Sequence, residues 1–122
     1  MHEEQRPQEQ LRQRTKRFAL RIIRLYRALL RAVEAQIIGK QVLRSGTSVG
    51  ANYRAACRAR SRPEWLAKMG IVAEEADETV YWLELLIDAA VVREKRLGPL
   101  LKEARELTAI FTAALDTGRK GS

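Results

Sequence analysis

Five arginines recur at helical spacing near the start of the chain: Arg14, Arg17, Arg21, Arg24 and Arg31. At about 100° per residue they fall in one line along a helix. Guanidinium forks match phosphate oxygens, and each phosphate neutralised releases counterions. A line of this kind is chemistry for a polyanion. Arg54, Arg58, Arg60 and Arg62 extend the basic region further along the chain. No aromatic residue is interleaved with these arginines, so base stacking is not indicated. The expected contacts are to backbone or shape. The competing reading is a solvated basic face, or ion pairs to acids on a neighbouring helix.

Other chemistry is sparse. Glu75-Ala76-Asp77-Glu78 gives Glu-x-x-Glu, an oxygen pair that a hard cation accepts. The paired Glu-x-x-His sites of helical bundles need histidines, and the one histidine here is His2. The acids therefore read as a solvated face or as arginine partners, and no metal or other cofactor is expected. Cys57 follows Ala56 among small residues and reads as a small hydrophobe, not a nucleophile. Gly46-Thr47-Ser48-Val49-Gly50 lacks the Gly-Lys-Ser/Thr ending of a phosphate-binding loop. No catalytic residue is expected, and the chain reads as a non-enzyme.

Whole-chain arithmetic agrees with a small basic binding domain. The 122 residues make one domain, 46% hydrophobic and 31% charged, with formal net charge +8. That hydrophobic fraction argues against extensive disorder. Residues 1–62 carry 15 Lys or Arg against 4 Asp or Glu, and residues 63–122 carry 8 against 11. The basic half suits nucleic acid or an acidic partner face. No apolar run reaches the ~18 residues of a membrane span, so no membrane partner is expected. The opening MHEEQRPQEQLRQR has no apolar stretch. The expected compartment is the cytoplasm.

The elements that must position the arginines read as four helices. Apolar residues recur at three and four, and strand-like alternation is missing. The predicted spans are about 10–35, 38–60, 62–92 and 98–118. In the first, Phe18, Ile22, Leu25, Tyr26, Leu29 and Val33 oppose the arginines, and Leu20 sits among the arginines. In the second, Gly46 and Gly50 make a small-residue face that lets another backbone approach; a loop at 45–51 is the competing reading. Ser61-Arg62-Pro63-Glu64 reads as the start of the third helix, with a Ser cap, Pro in the first turn and Glu reaching back. Gly118 reads as the last helix's C-cap. The expected architecture is an all-α, antiparallel up-down four-helix bundle over residues 13–117. Flexible tails are expected at 1–12 and 118–122.

Two further features stand out. Ser48 and Asn52 are polar, four apart and beside the core position Val49. Asn52 is predicted to bond a polar group on a neighbouring helix and set register, as buried polar residues do in coiled coils. The third helix carries Trp82, Leu85, Leu86 and Ala89 off its core stripe. A helix apolar on nearly every side needs cover on nearly every side. Either the fourth helix hides this patch, or it is a subunit interface.

The stretch Gln41-Val42-Leu43-Arg44-Ser45-Gly46-Thr47-Ser48-Val49-Gly50-Ala51-Asn52-Tyr53 resembles the second-helix signature of a bacterial four-helix-bundle family. That family includes proteins encoded by intervening sequences in 23S ribosomal RNA genes. Ser61-Arg62-Pro63-Glu64-Trp65 and Glu75-Ala76-Asp77-Glu78-Thr79-Val80-Tyr81-Trp82-Leu83 are similar to its third-helix pattern, and the resemblance spans about residues 15–115. It implies an antiparallel bundle, a homo-oligomer (most often a pentamer) and no established enzymatic activity. It also implies a role with ribosomal or other RNA. Distant relatives serve diversity-generating retroelements, where they bind a reverse transcriptase and nucleic acid. Two departures are visible. Family members often carry an acid two or three positions after the signature Asn, whereas Arg54, Ala55 and Ala56 stand there here. The first helix is also more basic than the pattern requires. The expected function is RNA or DNA binding by an oligomer through Arg14, Arg17, Arg21, Arg24, Arg31, Arg54 and Arg58. The alternative is a scaffold or accessory subunit holding an acidic protein partner.

Overall fold

The structure is a computed structural model and describes residues 5–121. His2, with the rest of residues 1–4, and Ser122 lie outside the described residues. Four helices account for nearly all of what is described: α1 (Gln5–Ala28), α2 (Val33–Cys57), α3 (Arg62–Asp88) and α4 (Glu94–Lys120). There is no strand among the described residues. At about 1.5 Å per residue each helix is roughly 36–40 Å long. α1 packs on α2, α2 on α3 and α3 on α4, each connection being a short turn. α1 meets α4 at only a few points, so that seam of the bundle is open.

The core follows most of the sequence pattern, though Val33 of the first stripe is exposed and Leu86, off the third, is buried. Phe18 and Ile22 from α1, Val42 and Val49 from α2, Met69, Val72 and Leu83 from α3, and Leu107 and Phe111 from α4 are all buried. Tyr53 of α2 reaches across to Phe111 of α4, ring centroids 5.3 Å apart and tilted by 43°. The 45–51 stretch is helix, not loop. An added Cβ at Gly46 would stand 2.8 Å from Ile22, and one at Gly50 would stand 3.2 Å from Thr15. Gly39 does the same against Leu29 and Tyr26. The propensity cost of three glycines is offset by the close approach of α1 that they permit.

Helix ends depart from the predicted ones, each for a local reason. α1 stops at Ala28 and α2 starts at Val33, without a Gly or Pro in the turn. Gln36 holds this corner: its Nε2 donates to the Leu30 carbonyl at 2.8 Å, and its Oε1 accepts from the Tyr26 hydroxyl at 3.3 Å. Val33 is therefore exposed on α2, not a core residue of α1. α3 begins at the expected cap: Ser61 Oγ accepts from the Glu64 N–H, but the Glu64 carboxylate accepts from the Arg60 N–H, one residue before the cap N–H that the sequence pattern predicts. α4 starts at Glu94, ahead of Pro99. Burial of Leu97 beside Leu100 and Leu101 draws this extra turn into the helix. Its cost is one missing backbone bond in an exposed turn. Helix also covers Gln5 to Arg12 and continues past Gly118, segments the sequence pattern leaves as tails. Gly118 does not cap α4; the Trp65 ring packs where its Cβ would be. Arg62 performs the capping, donating to the carbonyls of Gly118 and Gly121.

Candidate nucleic-acid interface

The structure sorts the predicted arginines into bound and free. Arg14 is bound. Its guanidinium forks onto the Glu103 carboxylate of α4 at 2.9 and 2.7 Å and reaches Glu106 at 3.3 Å. The Arg14 hydrogen bond holds the Glu103 carboxyl below its ordinary range. This clasp bridges the open α1–α4 seam. Arg44 is bound too, 2.7 Å from Glu78 and 3.2 Å from Glu75 of α3. It sits where a cation on the Glu-x-x-Glu pair would sit, and that pair is thus an arginine partner. Burial raises the Glu75 carboxyl, whereas Arg44 lowers that of Glu78. Arg62 is taken up by the end of α4.

Arg17, Arg24, Arg54 and Arg58 are exposed, Arg21 is half-buried, and none has an ion-pair partner among the described residues. Arg31 is exposed as well but lies in the α1–α2 corner, off the line of the other α1 arginines. It shares a shallow cleft with Arg27, Tyr26 and Gln36. Arg21 and Arg24 face Arg96 of α4 across the open seam, around Leu25, Leu97 and Leu100. Arg54 and Arg58 leave the α1 line entirely. They meet Arg12 and Lys16 of α1 across a groove of about 680 Å³, also lined by Thr15, Ala19, Thr47, Gly50 and Ala51. One acid, Glu9, lines it, and Arg12 pairs with that acid at 2.6 Å.

Sequence reasoning missed Arg12, Lys16, Arg27 and Arg96. Arg12 and Lys16 are four apart, as are Arg54 and Arg58, so each pair is legible as a helical neighbour. That the pairs face each other depends on the antiparallel register of α1 against α2. Beneath this end of the bundle, burial and then the neighbouring Cys57 hold the Tyr53 phenol far above its ordinary value. It stays neutral in the core.

The predicted polar tie is elsewhere. Asn52 Nδ2 donates to the Ser48 carbonyl of its own helix at 2.8 Å, and Ser48 Oγ donates to the Arg44 carbonyl at 2.6 Å. The inter-helix bond is between two fully buried hydroxyls, Thr79 of α3 and Ser45 of α2, 2.8 Å apart. Half-burial explains the difference: Asn52 reaches its own backbone without crossing to another helix. The predicted apolar patch also divides. Leu86 is fully buried and belongs to the core, and its carbonyl accepts from the Val91 and Val92 N–H groups of the turn after α3. Trp82 and Leu85 are half-buried and Ala89 is exposed. Trp82 donates from Nε1 to Glu78 and lies edge-on to Tyr81, ring centroids 5.0 Å apart. Tyr81 and Ile71 are exposed beside them.

No helix of the described chain is long and apolar enough to cross a membrane. No curated protein matches the sequence. The fold is similar to the crystal structure of a protein with unknown function from the S23 ribosomal protein family of Bacteroides thetaiotaomicron. The two align with TM-score 0.83 and 34% identity over 90% of this chain and 98% of that one. Residues 8–113 match the family described as 23S rRNA-intervening sequence protein. With that match running from the basic end of α1 deep into α4, the chain belongs to the 23S rRNA-intervening sequence protein family.

Proposed function

We propose that this protein is a non-enzymatic, cytoplasmic, homo-oligomeric nucleic-acid-binding protein, with RNA as its principal ligand. The observation that carries the reading is the segregation of unpaired cations. Arg17, Arg21 and Arg24 of α1, and Arg54 and Arg58 of α2, carry no carboxylate partner among the described residues, whereas Arg14, Arg44 and Arg105 are neutralised by acids of α3 and α4. Unneutralised guanidinium groups on adjacent helices suit a phosphate backbone. The family description, which names a 23S rRNA-intervening sequence, supports RNA over other polyanions.

Self-association belongs to the same proposal. The outward side of α3 mixes Ile71, Tyr81, Trp82 and Leu85 with Glu74, Asp77 and Asp88. It is apolar and acidic where α1 is basic, so two copies are complementary. A closed assembly, five copies by family resemblance, repeats the arginine surface and multiplies avidity.

Fluorescence anisotropy with a labelled RNA duplex over a salt series tests the binding. Affinity is expected to fall linearly in log–log with salt. In the folded R17Q/R21Q/R24Q variant the slope should shrink by up to about 0.7–0.9 for each phosphate that is no longer neutralised. Binding that ignores salt, or a folded triple variant that binds as the parent does, overturns the assignment to these arginines. Capture of an acidic protein with no RNA affinity would replace the reading with a protein scaffold.

A further inference from the structure

The cations along α1 and α2 do not form one uniform surface. Four of them converge on the groove between the two helices, at the end where α1 begins and α2 finishes. Between the cations its lining is made of small residues: Thr15 and Ala19 from α1, Thr47, Gly50 and the exposed Ala51 from α2. Arg12 and Lys16 stand on one rim, Arg54 and Arg58 on the other. Each pair is separated by four residues, about 6 Å of helix rise. Lys16, Arg54 and Arg58 have no carboxylate partner among the described residues.

We propose that this groove is a track for the sugar–phosphate backbone of a single nucleic-acid strand, its phosphates held between the two rims. This rests on the nucleic-acid reading above and names the ligand's form. Width decides it. Packed helices have axes about 8–10 Å apart, and Gly50 brings α1 and α2 close at this point. A duplex is too wide to enter: in B-form the major groove alone is about 12 Å across, more than the spacing of the two helix axes. One extended backbone does enter, and it meets cations on both sides. A duplex rests on the exposed cations from outside, Arg17 and Arg24 among them, without entering between the rims. No aromatic side chain lines the groove. The grip is therefore on phosphates and tolerates any sequence, unlike sites that stack bases.

The probes are a labelled single-stranded oligouridylate and a labelled RNA hairpin duplex with the same number of nucleotides, titrated with the full-length protein across a salt series. Arg54 and Arg58 are exposed, so R54Q/R58Q is expected to keep its helix content by circular dichroism. Its log–log salt slope for the single strand should fall by about 1.4, at roughly 0.7 per phosphate. Its loss of affinity for the duplex should be several-fold smaller than its loss for the single strand. Ala51→Phe changes no charge and obstructs the groove from its α2 side; it should weaken the single strand about tenfold and spare the duplex. If A51F and R54Q/R58Q both bind the single strand as the parent does, the groove is not the track. If R17Q/R24Q loses the strand instead, the nucleic-acid reading stands and this inference falls. If the parent protein binds neither probe, the nucleic-acid reading itself fails.

Discussion

Thr79 Oγ1 lies 2.8 Å from Ser45 Oγ and 2.8 Å from the Glu75 carbonyl, so this hydroxyl has two partners. Ser45 is fully buried and depends on Thr79. The two substitutions are therefore unequal. Thr79→Val strands the Ser45 hydroxyl and should cost about 1–3 kcal/mol, whereas Ser45→Ala leaves Thr79 bonded to its own helix and should cost less. Urea titrations of both singles and the double give the coupling. A double variant no better than the sum of its singles would show that the two hydroxyls act independently. Arg14 and Glu103 supply the other residue-scale test. The folded carboxyl titrates below its unfolded value, so its stabilisation is present above about pH 4 and is lost as pH falls through the folded pKa. R14Q should lower stability at neutral pH by about 1 kcal/mol for a half-buried forked pair. Thermal melts of parent and variant should converge once pH falls below the folded pKa of Glu103. A gap that persists in acid would mean that Arg14 acts by packing and not by charge.

Among the elements, the end of α3 carries the clearest local conflict. Ala90 adopts φ 58°, a left-handed conformation that glycine adopts without penalty. The Val91 N–H bonds the Leu86 carbonyl and the Ala90 N–H bonds that of Ile87, the Schellman pattern with alanine in the glycine position. Ala90→Gly should therefore stabilise by about 1 kcal/mol, read as a raised urea midpoint at unchanged m. No stabilisation would mean that the turn relaxes by another route. The opposite change applies at Gly46, where the space is filled. Gly46→Val places methyl groups against Ile22, so α1 must move off α2 at a cost of about 1–3 kcal/mol. α1 touches α4 at few points that could hold it, so it is the helix expected to loosen first. Hydrogen exchange that speeds up in α1 ahead of α3 would confirm that order; uniform exchange would contradict it.

Taken whole, the molecule has unlike faces. The α1 side is basic, and the outward side of α3 combines exposed Ile71 and Tyr81 with half-buried Trp82 and Leu85 among acids. A second apolar corner, Leu30, Val33 and Ile37, is 66%, 72% and 59% exposed at the α1–α2 turn. On the reading proposed above, sedimentation equilibrium at micromolar protein should give a closed assembly. Trp82→Glu should dissociate it with helix content retained, because that side chain is only half-buried in the single chain. A monomeric parent protein would overturn the assembly. It would also weaken the case for tight RNA binding, since one bundle of net charge +8 lacks the avidity of a ring.

Periodicity was enough for the helix count and for the core positions Phe18, Val49, Val72 and Leu107, and residue type for the Ser61 cap. These depend on neighbours three or four residues away, which lie in the sequence itself. The α1–α2 corner was not legible, because its stop signal is the Gln36 side chain on a carbonyl and no glycine or proline marks it. The fate of each arginine was also closed to sequence reading. Arg14 and Arg17 are alike in type and share the same stripe, yet one is clasped by Glu103 and the other faces solvent. The pairing of Arg12 and Lys16 with Arg54 and Arg58, and of Ser45 with Thr79, follows from how far one helix is slid along another. That offset is set by where Gly39, Gly46 and Gly50 receive the side chains of α1 and by how the four stripes close on one another. It is a property of packed surfaces, and it appears only when the helices meet.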